Sequence, residues 1–523
     1  MNTNHRSRKL WYLALPILFL VACILQPAPA GAQMTSVGID CSQIHALGID
    51  KQDNLRAGLV LIECGLVQGG HPSGIAGTPF TPTAPPNVRA SNRACSSSSS
   101  CTKSESNAWA STKNPNQIVV NYNDSAGNGS SYTGTSYSSD GGVTFHEIQP
   151  PPFLNGHGGN FGDPIVVFNS KLNKFFAGDL ASGCGGFGIG LWTSNNGKTW
   201  ATGSCAHNGG SDDRESFWVD NNATSGTYGR MYISFNDFTN NGGALSLVYS
   251  DDGKTWTGPV ILNPNFIRDV QVTGTPRNTA LFEGKNSTVF VAAMDEGGGG
   301  NSTRQNLMYK SLDGGKTWTS TTLGPRFNPP GNVNCGYFQA VAPIWRHMGW
   351  GEPAVGPKGV VHYDYAGAGT NGDVGDIFYV RSIDNGKTWS TPIKLNTDKD
   401  NQFRTQWMPS LSVDKTGDVT ASWYDRRAAT SSCVNVTDKG CEYERVGRQS
   451  KNNGKSWMPD ITISTALIPQ PAQDDPTVQS CYAGDYDYNT ATTGNALVTW
   501  TDGRRSVGGV HVQDVEFAKV PLP

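Results

Sequence analysis

Apolar and β-branched residues along this chain come in short runs broken by Gly, Pro, Asn, Asp or Ser, a pattern that predicts strands joined by tight turns through most of its length. Seven of the runs end in an acid: NYND at Asp124, FAGD at Asp179, SFND at Asp237, AAMD at Asp295, VHYD at Asp364, SWYD at Asp425 and TWTD at Asp502. A second pattern follows six of them, reading SSDGGVTF from Ser138, TSNNGKTW from Thr193, YSDDGKTW from Tyr249, SLDGGKTW from Ser311, SIDNGKTW from Ser382 and SKNNGKSW from Ser450. Its closing aromatics, Phe145, Trp200, Trp256, Trp318, Trp389 and Trp457, recur every 55 to 71 residues. An Asp or Asn with Gly two positions later suits a tight turn, because the side chain satisfies backbone amides and Gly tolerates positive φ. The Thr and the aromatic then begin the next strand, with the indole free to fill the gap between neighbouring sheets.

A third mark opens most units: SES at Glu105, GDP at Asp163, RES at Glu215, GTP at Thr275, GEP at Glu352, WMP at Met408 and GDY at Asp485. About four strands per unit, repeated in this way, predict an all-β fold, a β-propeller. Seven openings predict seven blades, with six as the alternative if one unit is an excursion. The last unit lacks an obvious fourth strand, and residues 86–94 (PNVRASNRA) are expected to supply it and close the ring. The openings and the second-strand acids then share one end of the ring, the upper face, and the turn motifs lie on the other.

Ahead of the repeats, Arg6, Arg8 and Lys9 precede an apolar run from Leu10 to Leu25 and the triplet Ala30-Gly31-Ala32. This is the order of a signal peptide over residues 1–32, and the run is short for a membrane span. The rival is a lipoprotein signal, with Leu20-Val21-Ala22-Cys23 as lipobox and Cys23 as lipid anchor. Both predict export, to the periplasm or the exterior, and no membrane span in the mature chain. Residues 33–66 read as a small disulfide-bonded unit, with Asp53 to Ile62 as a short helix or strand; residues 67–104 as a Gly-, Pro- and Ser-rich linker; and 105–521 as the propeller.

Ten cysteines remain outside the signal segment, an even number that suits an oxidising compartment. Local spacing pairs Cys41 with Cys64, Cys95 with Cys101, Cys184 with Cys205 and Cys433 with Cys441, which leaves Cys335 for Cys481. Zinc is the weaker alternative, because paired C-x-x-C spacing is absent. With 63 Gly and 16% charged residues the composition agrees with a turn-rich β protein, and a net charge of -3 offers no broad attraction to nucleic acid or anionic membrane. P-loop, dinucleotide, G-x-S-x-G and H-E-x-x-H signatures are all missing from the sequence.

The turn motifs resemble the Asp boxes of the bacterial neuraminidase repeat, or sialidase-like, superfamily, over about residues 105 to 520. The S-E at the first opening, GDY at the last and W-T-D-G-R in the final unit resemble exported bacterial sialidase-like proteins. The boxes themselves are read as structural, and they are shared by glycosidases, receptors and assembly factors.

The resemblance implies hydrolysis of a terminal acidic sugar by a Tyr nucleophile activated by Glu, a separate Asp acid/base and three arginines gripping the sugar carboxylate. Candidates on the upper face are Tyr482 or Tyr486 as nucleophile, Glu352 as its base partner and Asp163 as acid/base. Arg404, Arg426 and Arg504 are the expected carboxylate grip, with Arg214 and Glu215 also at the mouth and Arg268 among the further arginines of that face. The chain departs from the family in having no F-R-I-P motif in its first blade; TPR at Arg277 echoes it in a different unit. Two alternatives stand beside hydrolysis: a non-catalytic propeller binding a glycan or protein, and a polysaccharide lyase with His157 or Tyr486 abstracting a proton. His347 is a further loop histidine. No cofactor is expected; the crowded acids at the openings admit a calcium ion, with pairing to arginine as the plainer outcome. The expected partner is a glycan or polysaccharide, and the oligomeric state is left open.

Overall fold

Each Asp box folds as a hairpin corner held by its own Asp or Asn. In the fourth, Asp313 Oδ1 accepts from the amides of Lys316 and Thr317, both at 3.0 Å, and Oδ2 accepts from the Thr317 hydroxyl at 2.6 Å. Gly314 and Gly315 take φ of 77° and 90°, values that a side chain resists. The aromatic that follows wedges against the preceding blade: the Trp256 indole donates to the Ser204 hydroxyl at 3.0 Å, and Trp457 meets Tyr379 edge-on at 4.9 Å between centroids.

The computed structural model describes Met1 and residues 33–71, 87–93, 95–127, 131–148, 157–341, 345–433 and 439–523. The expected signal segment after Met1, with Cys23, and residues 72–86 and 94 of the expected linker lie outside the described residues. Among the described residues seven antiparallel blades of four strands form the ring, and the first carries a fifth, parallel strand on its inner side. Their innermost strands are Lys103–Ala110, Ile165–Asn169, Asp212–Val219, Arg268–Gly274, Pro353–Val355, Gln406–Val413 and Thr490–Thr492. The protein is thus a seven-bladed β-propeller, and the alternative of six blades falls away.

Closure follows the expectation. Val88–Arg89 pairs with Glu516 and Phe517 as the outermost strand of the seventh blade, so a segment from ahead of the first blade completes the last. On the inner side, Asp487–Tyr488 runs parallel to Ser106–Asn107 of the first blade. All five expected disulfides form. Among the described residues no helix is long and apolar enough to cross a membrane.

One opening needs correction. The strand Arg268–Gly274, with Val270, Val272 and Thr273 as its β-branched residues, is the innermost of the fourth blade, so that blade opens at Arg268-Asp269, and Thr275 lies where the strand stops, at the opposite end. The triplet GTP imitates GDP and GEP in spelling only. Three additions cover the upper face: a three-stranded insertion between the fourth and fifth blades, ending in Trp345–His347; the crossover from the sixth blade to the seventh; and the N-terminal unit. Cys335–Cys481 ties the first two together, and Gly70, just beyond the N-terminal unit, donates its amide to the carbonyls of Asp475 and Val478 of the crossover. The segment from Asp53 forms the helix Leu55–Glu63, capped by the Asn54 side chain, which accepts from the Ala57 amide.

Candidate functional site

At the upper end the innermost strands begin with a kink. Glu105, Asp163, Arg214, Asp269 and Met408 have φ between 46° and 58°, and in the first, third, fourth and sixth blades the pairing register shifts across that position. Non-glycine residues in the left-handed region are costly, and a bulge of this kind re-aims side chains. Here the kinks crowd charged side chains around the axis of the ring.

Arg214 of the third blade, Arg268 of the fourth and Arg346 of the insertion converge on Asp53 of the N-terminal unit. Asp53 Oδ2 lies 2.9 Å from Arg268 Nη2 and 3.3 Å from Arg214 Nη1. Arg346 Nη2 donates to the Asp53 carbonyl, and Arg268 Nη1 to the Lys51 carbonyl. Arg346 also grips Asp485, with Nε 3.0 and 3.1 Å from its two oxygens and Nη2 at 2.6 Å. Arg214 reaches Asp269 and the Tyr488 hydroxyl, both at 3.2 Å, and lies over the rings of Trp350 and Tyr486 at 4.1 and 4.7 Å. All three arginines are 0–1% exposed.

This charge density sets the protonation pattern. Burial pushes Asp53 up, but Arg268, Arg214 and Arg346 together outweigh it and hold the carboxyl below its ordinary value. Glu105 goes well above its ordinary value, through burial first and the negative charges of Asp485 and Asp53 next. Asp163 and Asp213 rise well above for the same two reasons, burial and then Asp53. Glu215 is raised by burial and by Asp179, and neither of its carboxylate oxygens has a hydrogen-bond partner.

The sequence candidates divide into two groups. Tyr482, Tyr486, Asp163 and Arg214 lie in this buried centre. The Tyr482 hydroxyl accepts from Asn123 Nδ2 at 2.7 Å, the same amide that donates to Glu105, and Arg346 lies over its ring at 4.9 Å. Burial, then Glu105, holds Tyr482 well above the ordinary phenol value; burial, then Asp163, does so for Tyr486, which stacks on Tyr488 at 4.7 Å. Glu352 stands elsewhere: it accepts from the Ser410 hydroxyl and lines the central tunnel, so the acid beside Tyr482 is Glu105.

The expected grip of Arg404, Arg426 and Arg504 is not gathered, because Arg426 and Arg504 find partners near their own strands and Arg404 lies in the connector between the fifth and sixth blades. Arg426 is drawn to the Gly440 carbonyl and Arg504 to Asp502 and Thr465, while Arg404 is half-buried at a loop bridge to Asn401. His157 bonds the Leu191 carbonyl next to the Cys184–Cys205 bridge. His347 is buried, with a pKa pushed down to about 3 by burial and then by Arg304.

Sequence reasoning missed Asp53, Asp269 and Arg346. Asp269 was hidden by the misplaced opening of the fourth blade, and Arg346 sits in an insertion with no counterpart in the repeat. Among the described residues, two groups of three acids come close enough to share a cation. In Asp53, Asp163 and Asp213 the arginines already supply the positive charge. In Asp373, Asp376 and Asp400 the Lys394 ammonium does, 2.7 Å from Asp376 and in contact with Asp400.

Below Tyr488 and Gln271 the centre of the ring is open. A cavity of about 340 Å³ runs between the innermost strands past Trp109 and Trp218 to the lower-face connectors that carry Arg277 and Lys415. The buried charge centre therefore lies under a cover at one end, and the accessible tunnel opens at the other.

No protein-family model and no curated protein matches the sequence. Among solved structures the chain is similar to a protein of unknown function from Dyadobacter fermentans, at 13% identity and TM-score 0.40 over 84% of this chain and 98% of that one. It is also similar to the intramolecular trans-sialidase of Ruminococcus gnavus in complex with oseltamivir carboxylate, at 14% identity and TM-score 0.37 over 82% and 97% of the two chains. An α-L-arabinofuranosidase from Fusarium graminearum matches at 12% identity and TM-score 0.36, over 85% and 98%.

Proposed function

We propose that this is an exported propeller that takes a carboxylate-bearing sugar of an extracellular glycan at the upper end of the ring and hydrolyses it as the sialidase-like resemblance implies. The observation that carries the reading is the convergence of Arg214, Arg268 and Arg346 on a single carboxyl-bearing residue, with Tyr482, Glu105 and Asp163 in the same buried network. Forked guanidiniums in a dry site bind a carboxylate strongly and orient it. In this reading Tyr482 is the nucleophile, Glu105 rather than Glu352 takes its proton, Asp163 is the acid/base, and Tyr486 is the platform beneath Arg214. A phenol held well above its ordinary pKa needs such a base, and Glu105 serves only once its own proton is lost.

A second reading, a propeller that binds a glycan without cleaving it, is favoured by the open tunnel with Trp109 and Trp218 along its wall. Purified protein incubated with a fluorogenic sialoside and a panel of acidic polysaccharides separates them. Release of fluorophore that Tyr482→Phe abolishes supports hydrolysis. Binding without turnover supports the second reading, and products absorbing in the ultraviolet would instead mark a lyase.

A further inference from the structure

The propeller is complete without residues 33–71, because the strand that closes the last blade is Val88–Arg89. Yet residues 51–54 reach into the most charged part of the ring. Besides the arginine contacts, Gln52 Nε2 donates to the Ser211 hydroxyl at 2.7 Å and Asn54 Nδ2 to Asp213 at 2.6 Å. We propose that the N-terminal unit is an internal ligand: Asp53 occupies a carboxylate site made by Arg214, Arg268 and Arg346, and it must leave before a sugar carboxylate can enter. The identity of the external ligand rests on the function proposed above; the carboxylate site does not.

Three observations favour an occupant over a fixed brace. The oxygen of Asp53 that lies nearest Arg214 and Arg268 is the same one, Oδ2, so a ligand placing both oxygens would fit the forks better. Next to it, Arg56 is buried over the Phe187 ring with Nε and Nη1 unpartnered, and burial lowers its pKa to about 9. That desolvation cost is relieved when the unit lifts. Finally, the Asp53 charge is among the causes that raise Glu105 and Asp163, so its departure moves both toward the ionised state, the form in which Glu105 can take the Tyr482 proton.

The test uses the full chain with Asp53→Ala, and acetate and N-acetylneuraminate as probes. The melting temperature of the variant should rise with acetate and with N-acetylneuraminate, but not with acetamide or with sodium chloride at matched ionic strength. Wild type should respond at least about tenfold less sensitively, because its site is already filled. Gln52→Ala, which loosens the unit without touching the arginines, should shift in the same direction by a smaller factor, and it stands in if Asp53→Ala does not fold. Hydrogen exchange at residues 51–61 of the wild type should speed up on adding N-acetylneuraminate. Equal carboxylate responses in wild type and both variants overturn the proposal. A variant that binds both carboxylates but leaves a sialoside intact upholds the internal ligand and sinks hydrolysis; wild type that already turns over a sialoside as fast as the variants does the reverse.

Discussion

Arg268 Nη2 stands 2.9 Å from Asp53 Oδ2, and Arg268 Nη1 stands 3.2 Å from Asp213 Oδ2, so one guanidinium joins the N-terminal unit to the third blade while belonging to the fourth. All three side chains are almost wholly excluded from solvent. Removing the positive partner from a buried pair leaves an uncompensated charge, typically at a cost of about 3–5 kcal/mol. Arg268→Met should therefore lower the unfolding free energy by an amount of that order, read from the denaturant midpoint and slope. A variant as stable as the wild type would mean that these carboxyl groups are neutral in the native protein.

The repeat was legible because its cause is local. Asp313, Gly315 and Trp318 build a corner from eight consecutive residues, and the same spelling recurs six times, so the blades and the face on which the corners lie could be read directly. The closing strand at Val88 was legible for a related reason: the last unit was one strand short. The charge centre was not legible in the same way, since it assembles Asp53, Arg214, Arg268, Arg346 and Asp485 from the N-terminal unit, two blades, an insertion and a crossover. Arg426 and Arg504 drew attention because they break the repeat near its end, but a guanidinium that finds a nearby loop carbonyl, as Arg426 finds Gly440, or its own strand's acid, as Arg504 finds Asp502, has no need to reach the axis.

The raised carboxyl groups impose a pH dependence. Burial lifts Asp212 and Asp269 to about 6, Asp373 to about 7 and Glu516 to about 8. Unfolded, these groups titrate near 4. Between those values the folded chain holds protons that the unfolded chain has released. Their contribution to stability is complete below about pH 4 and is lost as the pH climbs through 6 to 8. Asp53 works in the opposite sense, contributing above its unfolded value and losing that contribution as the pH falls through its depressed folded one. Calorimetry should accordingly find a higher melting temperature near pH 5 than at pH 8. A midpoint that rises steadily to pH 8 would show that these carboxyl groups are ionised in the native state.

The Asp boxes should govern stability without touching the charge centre. Asp313→Ala removes acceptors from two amides and two hydroxyls at a partly exposed corner, a loss of about 1–2 kcal/mol. Its carboxylate binding and any turnover should match the wild type once measured well below the melting temperature. A selective loss of binding would place a functional surface on the lower face.

The seam between the last blade and the first can be tested with two glycines. Gly142, in the first Asp box, has φ 89°, and a Cβ there would lie 2.6 Å from Cε1 of Phe517 in the seventh blade. Gly494, in the hairpin that opens the seventh blade, has a similar φ of 82° but nothing within 4 Å of the added carbon. Gly494→Ala therefore reports the backbone penalty alone, about 1–2 kcal/mol. Gly142→Ala adds overpacking against a ring that is 1% exposed, a further cost of about 1–3 kcal/mol. The difference between the two denaturant midpoints measures how tightly the ring is closed. If Gly142→Ala proves no worse than Gly494→Ala, Phe517 yields at the seam and the first and seventh blades are not rigidly joined there.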